Sequence, residues 1–281
     1  MLLLNAHAPL ATDEAASATP PRVGPVVLWR SILFDVVMAI HVCLTALLAG
    51  PVVVFMPRRR ALAVGKWWAR TTLALLRAIV GLEVEVRGRE NIPQGAAIVA
   101  AKHQSALETF ALTPELPDPA FVLKRELTVI PFFGWFLRGL DMIAINRAAG
   151  GEALMQMLEQ ASEAARAGRQ IVIFPEGTRL PVGAPARYRL GVVHLYDRLK
   201  LPCVPVAVDT GVFWPRDGFR KRRGRTVVQF LKPIPADLPR DVFEKTLRER
   251  IEVASAALVR EAQGSPSDAP AAASAQGLTQ R

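Results

Sequence analysis

His103 and Glu108 stand five positions apart in Lys102-His103-Gln104-Ser105-Ala106-Leu107-Glu108. An imidazole can take a proton from a hydroxyl at neutral pH, and a carboxylate on its other ring nitrogen fixes the tautomer and raises its basicity. Along one continuous helix, five residues turn about 140° around the axis, so the two side chains would not meet. They meet only if His103 sits in the turn before the helix. Ser105-x-x-Glu108 matches a capping box, which starts the helix at Ser105 and leaves His103 outside it. The same match opens a second role for Glu108, as a cap on the Ser105 amide.

The second chemical segment is Phe174-Pro175-Glu176-Gly177-Thr178-Arg179, which follows the apolar Ile171-Val172-Ile173. Gly177 permits unusual backbone angles and close approach of a ligand, and exposed amides in such a turn form an anion-binding nest. Arg179 can hold a phosphate through two parallel hydrogen bonds, which lysine cannot. Glu176 is suited either to orienting Arg179 or to binding a substrate hydroxyl. Asn146-Arg147 and Lys124-Arg125 each follow a strand-like run and are further candidates for phosphate or donor contacts. Cys203 lies in apolar Leu201-Pro202-Cys203-Val204, a setting that raises a thiol pKa and makes it a poor nucleophile. The sequence has no G-x-S-x-G elbow, which argues against an acyl-enzyme and for direct attack by a bound hydroxyl.

These groups need a frame. Short apolar runs at 84–86, 96–101, 120–123, 142–145, 170–174, 203–208 and 226–231 read as strands. Helical patterns lie at 105–112, 152–167, 191–200 and 240–262, with an aromatic, irregular or helical stretch at 130–140. The alternation predicts an α/β fold with a mixed, largely parallel central sheet flanked by helices. Ligands gather beyond the carboxyl ends of such strands, so His103 and Glu176 are expected on one rim.

Ahead of this domain, between Arg30 and Arg58, Asp35 is the only formal charge. The run is long enough to cross a bilayer core, for which about 20 apolar residues suffice. Gly50-Pro51 interrupts it, and Asp35 and His41 are costly at mid-bilayer, so a half-inserted hairpin competes with a full span. Arg58-Arg59-Arg60 after the run favours the cytoplasmic side, which puts the catalytic domain on the cytoplasmic face of the inner membrane. Residues 60–80 read as an interfacial amphipathic helix. The expected organisation is an unordered tail at 1–24, the anchor and interfacial helix at 25–80, the catalytic domain at 81–263 and a second tail at 264–281.

The net charge of +10 fits nucleic acid, anionic lipid or a phosphorylated substrate. No nucleic-acid-binding motif is present, and basic clusters beside Trp67-Trp68 and Trp214 fit an anionic membrane surface better. The two cysteines offer neither a disulfide framework nor a metal cluster, and no cofactor is expected.

Four ordered blocks, His103 to Glu108, Asn146-Arg147, Phe174 to Arg179 and Val204-Pro205-Val206-Ala207, resemble the glycerolipid acyltransferase family, and best its 1-acyl-sn-glycerol-3-phosphate acyltransferases. The resemblance covers about residues 82–235 and implies an O-acyltransferase of phospholipid biosynthesis. It implies transfer from acyl-CoA or acyl-carrier protein to the sn-2 hydroxyl of lysophosphatidic acid, giving phosphatidic acid. By the same resemblance His103 is the general base, with Glu108 where the family usually has Asp, one methylene shorter. Arg147, Glu176, Gly177, Thr178 and Arg179 are the acceptor-phosphate site. The alternatives are another lyso-lipid acceptor or a non-catalytic protein that binds anionic lipid.

Overall fold

The computed structural model describes residues 23–130, 133–146, 149–216 and 219–264. Eight strands form one mixed sheet: β1 Val23–Val26, β2 Leu82–Arg87, β3 Ala97–Ala101, β4 Pro119–Lys124, β5 Ile143–Ile145, β6 Gln170–Ile173, β7 Cys203–Val208 and β8 Arg222–Phe230. Their order is β1-β8-β7-β3-β6-β4-β5, with β2 also paired to β8. The β7, β3, β6, β4 and β5 neighbours are all parallel, as is β2 with β8, whereas β8 runs antiparallel to β1 and β7. The expected architecture is therefore the observed one.

The central strands read as unbroken apolar runs because both of their faces are covered. Ile98, Ala100, Ile171 and Ile173 face α5 (Gly151–Arg166), α6 (Gly191–Leu199) and α8 (Arg240–Gln263), packing on Met157, Leu195, Phe243 and Ile251. Val99, Ala101, Val172, Val204 and Val206 face the other way, onto Ala111 and Leu112 of α3 (Leu107–Glu115). The predicted strands and long helices recur within a few residues, the precision expected of helix ends. The short helix α7 (Thr210–Phe213) and strand β1 carry no periodic signal and were not foreseen. The first residues of β1 fall inside the segment 1–24 expected to be an unordered tail; the rest of that segment, and 265–281, lie outside the described residues.

Two long helices precede the domain. Helix α1 (Leu28–Val53) runs through Gly50-Pro51 instead of breaking there, and ends two residues after Pro51. Helix α2 (Arg58–Val80) buries Ala61, Gly65, Ala69, Thr72, Leu76 and Val80, a stripe of mostly small side chains, while Trp67 is exposed. Small residues let neighbouring elements approach closely: Gly65 faces Phe136 and Leu140 beside α4 (Phe133–Gly139). Trp68, Leu73 and Ile79 of α2 are partly buried against the cluster that contains Leu76.

Helix α1 is held to the domain at both ends. Near its start, Ser31 Oγ accepts the Lys221 N–H at 3.0 Å, and Asp35 Oδ1 lies 2.6 Å from Lys221 Nζ. That ammonium is buried 4.7 Å from the Trp214 ring and 5.3 Å from the Phe34 ring, so Asp35 is neutralised by a cation among aromatic faces. In the middle, His41 stacks on Trp68 at 6.3 Å. At the far end Val53 is buried against Gly139, where an added Cβ would come 2.5 Å from Val53 Cγ1.

One charge and one ring that the sequence suggests as membrane contacts pack internally instead. Arg58 is ion-paired with Asp118, and Trp214 is buried against Phe34 and Phe110. Arg59 and Arg60 stay exposed.

The Asp35–Lys221 pair predicts a double-mutant result. In detergent, Lys221→Met alone should lower unfolding free energy by about 1–3 kcal/mol, since a charge-assisted partner is lost. Combining it with Asp35→Asn should restore part of that loss, as measured by urea titration.

Candidate active site

β3 and β6 are parallel neighbours in register, Ala100 opposite Ile173, so the segments that leave them emerge side by side. Just beyond, the backbone N–H of His103 donates to Glu176 Oε2 at 2.7 Å and the carbonyl of His103 accepts the Leu180 N–H at 2.9 Å. These two bonds fix both ends of the loop that carries Thr178 and Arg179 to the backbone of His103. The His103 ring stacks on Phe174, with centroids 3.9 Å apart and planes 18° apart. Two segments 73 positions apart therefore share one rim.

Of the two roles the sequence left open for Glu108, the capping contact is formed, and the carboxylate also faces the His103 ring without hydrogen-bonding it. Its Oε1 accepts the N–H groups of Gln104 at 2.9 Å and Ser105 at 2.8 Å and the hydroxyl of Thr210, while Oε2 accepts Ser105 N–H at 3.1 Å. The same Oε2 lies 3.5 Å from His103 Nδ1, longer than a formed hydrogen bond. One carboxylate thus ties the turn that carries His103 and faces the ring. The helix itself starts at Leu107 and not at Ser105, and the Ser105 hydroxyl accepts the Leu107 N–H at 3.2 Å.

The glycine turn has the expected backbone. Gly177 sits at φ +68°, a backbone conformation that favours glycine, with the exposed Arg189 side chain lying over it. Among the described residues, the N–H groups of Thr178 and Arg179 find no acceptor within the protein, and both residues are exposed. Glu176, expected in the phosphate-binding group, faces inward: one oxygen holds the His103 N–H and the other lies 2.7 Å from Lys102 Nζ. Burial raises its pKa, an effect opposed chiefly by Lys102.

Lys124 and Arg125 are exposed at the carboxyl end of β4, on the same rim as Glu176 and one strand over. Asn146 follows β5, one strand further; Arg147 lies outside the described residues. Cys203 is fully buried in β7, where desolvation pushes its thiol pKa up. A cavity of about 330 Å³ opens beside Gln104, lined also by Val182, Gly211, Val212, Arg216 and Arg222. Sequence reasoning missed Thr210 and Arg189. Thr210 had a usable signal, since it follows β7 at the same carboxyl edge; Arg189 lies in an irregular loop with none.

An acyltransferase family model matches residues 83–209. A 1-acyl-sn-glycerol-3-phosphate acyltransferase of Pseudomonas aeruginosa is 38% identical over 196 residues, covering 69% of this chain and 76% of that protein. The chain belongs to the glycerolipid acyltransferase family. It is an O-acyltransferase. A similarly named protein of Saccharomyces cerevisiae is 31% identical over 174 residues, 60% of this chain and 57% of that one. The fold of this acyltransferase is that of the crystal structure of the 1-acyl-sn-glycerophosphate acyltransferase PlsC from Thermotoga maritima, with a TM-score of 0.69 at 21% identity over 81% of this chain and 95% of that one.

Thr210 and Glu108 are both fully buried, so removing the hydroxyl takes a donor from a buried carboxylate oxygen. Thr210→Val should therefore cost about 1–3 kcal/mol of stability. Thr210→Ser should retain most of it, with chemical denaturation of both variants as the measurement.

Proposed function

We propose that this acyltransferase moves a fatty acyl group from an acyl thioester, carried by CoA or acyl-carrier protein, to the sn-2 hydroxyl of 1-acyl-sn-glycerol-3-phosphate, giving phosphatidic acid for phospholipid synthesis. What supports the reading is that the His103 backbone is hydrogen-bonded on both sides to the loop that carries Thr178 and Arg179, whose amides face no protein acceptor among the described residues. The names of the relatives supply the substrate class.

In this reading His103 Nε2 takes the proton of the acceptor hydroxyl as its oxygen attacks the thioester carbonyl. The tetrahedral intermediate collapses, the new ester C–O bond remains, the C–S bond breaks and the thiolate recovers the proton from the imidazolium. Glu108 Oε2 faces Nδ1 and stabilises the imidazolium charge; the 3.5 Å gap closes as that charge develops. Gly177, Thr178 and Arg179 receive the acceptor phosphate through two backbone N–H groups and a guanidinium, joined by Arg147. Lys124 and Arg125 remain candidates for the donor or the phosphate, further along the rim. General-base assistance accounts for about 10² to 10⁴ in rate, and positioning of two bound substrates must supply much of the rest.

The enzyme works at an anionic membrane surface, with α1 lying in one leaflet and not crossing it. Helix α1 has the length and apolarity of a span, with a most apolar window of mean hydropathy 2.3. Contacts with the domain near both ends and with α2 in the middle leave one side of the helix free. That side is a continuous apolar stripe including Trp29, Leu33, Val36, Ile40, Leu44, Leu47 and Leu48, each more than 40% exposed. The exposed Arg59 and Arg60 then meet lipid headgroups from the cytoplasmic side.

Purified enzyme offered lysophosphatidic acid and either acyl-CoA or acyl-carrier protein should release thiol and form phosphatidic acid, identified by mass spectrometry. His103→Ala should reduce turnover by at least about 10²-fold with the fold intact. Arg179→Ala should raise KM for the acceptor more than it lowers kcat. Thiol release that leaves the acceptor unmodified, or a His103→Ala enzyme as active as wild type, would remove this mechanism.

Cysteine labelling tests the membrane disposition. In a Cys43→Ser background, Pro25→Cys and Phe55→Cys flank α1 at exposed positions. Both should react with an impermeant thiol reagent from the side that carries the catalytic domain. Labelling from opposite sides would establish a span.

A further inference from the structure

Behind His103 runs a chain of charges that the reaction as described does not use. Lys102 Nζ lies 2.7 Å from Glu176 Oε1 and 2.8 Å from each oxygen of Glu252 on α8. Tyr188 donates its hydroxyl to Glu252 Oε1 at 3.0 Å. The second oxygen of Glu176 takes the backbone N–H of His103 at 2.7 Å. A continuous path therefore leads from the C-terminal helix, through one ammonium, to the peptide that carries the imidazole.

Lys102 side chain is 5% exposed and that of Glu176 is fully buried, whereas Glu252 keeps 34% exposure. Taking an ammonium and a carboxylate out of water costs several kcal/mol per ion, and an apolar pair of similar volume is often as stable or more so. Fold stability alone is thus a weak reason for placing these groups here. Their placement does have a geometric product. Lys102 and His103 are consecutive, so their side chains leave the strand end on opposite sides. The anchored lysine fixes the peptide on one side, and Glu176, held by that lysine, fixes the His103 N–H itself. Lys102 also opposes the burial that would drive Glu176 to protonate and weaken its grip.

We propose that Lys102, Glu252 and Tyr188 are positioning residues for His103, acting through Glu176 to hold the imidazole at the angle needed for proton transfer. The proposal rests on the assignment of His103 as the base in the proposed function.

The test combines Lys102→Met, Lys102→Arg and Glu252→Gln in the full chain, reading kcat, KM for both substrates, melting temperature and the imidazole Cε1–H NMR signal of His103. The chain has four histidines, so His103→Ala assigns that signal by its disappearance. Lys102→Met should lower kcat by about 10²-fold, the cost of a misplacement near 1 Å, with both KM values within a few-fold of wild type. Its His103 signal should shift or broaden. Lys102→Arg, which can still bridge two carboxylates, should recover most of kcat. Glu252→Gln should lower kcat several-fold, because Lys102 keeps Glu176 but loses its outer anchor.

A kcat loss that only follows the melting temperature, with the His103 signal unmoved, would overturn the proposal. If Lys102→Met does not fold, Glu252→Gln decides: wild-type kcat and an unmoved signal reject positioning, and a lowered kcat with a moved signal supports it. Failure of the underlying reading looks different, since His103→Ala would then stay active whatever the Lys102 variants do.

Discussion

The His103 amide hydrogen bond to Glu176 organises this molecule's active rim. It joins two segments 73 residues apart and is possible only because β3 and β6 are adjacent, parallel and in register. A single shift of that register by one residue would send every side chain of β6 to the opposite face of the sheet. It would also carry Glu176 away from the amide. The bond has its own requirement, a carboxylate deep enough to be shielded from water, and Lys102 meets it with the matching charge. The geometry of the His103 peptide is thus inseparable from a buried ion network.

Glu108 repeats the theme at the other side of the ring. Its acceptor capacity is divided between two backbone amides, the Thr210 hydroxyl and the space facing His103 Nδ1. The longer glutamate reaches back to the turn from inside the helix. A shorter side chain at the same position would have to approach both turn and ring with one methylene fewer. Residues from β3, β6 and β7 meet at one edge because the carboxyl ends of parallel strands open together.

The apolar helices connect to this edge through aromatic rings. Phe110, two positions after Glu108 on α3, stacks with Trp214 at 6.2 Å and meets Trp68 of α2 edge-on at 5.3 Å; Trp214 in turn meets Phe34 of α1 at 5.5 Å. The helix that presents Glu108 is therefore packed on the same cluster that holds the exposed apolar face of α1. Helix α1 and the rim are thus parts of one packed cluster.

Composition and pattern alone determined the local side of this protein. The alternation of apolar strands with helices predicts the mixed sheet. The unbroken apolar runs predict strands covered on both faces, and the placement of His103 and Glu176 after two such runs predicts a shared rim. Gly177 announces its left-handed turn. Partners were another matter. Glu176 reads as a substrate ligand until Lys102 and the His103 amide are seen to occupy it, and Trp214 reads as an interfacial ring until Phe34 and Phe110 bury it. Arg58 reads as a membrane-side cation until Asp118 claims it, and nothing in the chain announces that Glu252 reaches Lys102 across 150 positions. Periodicity reports which face of its own element a residue occupies, because that is fixed by backbone geometry within a few residues. Which distant side chain stands opposite that face depends on strand order and helix packing, and these are set only when the whole chain closes on itself.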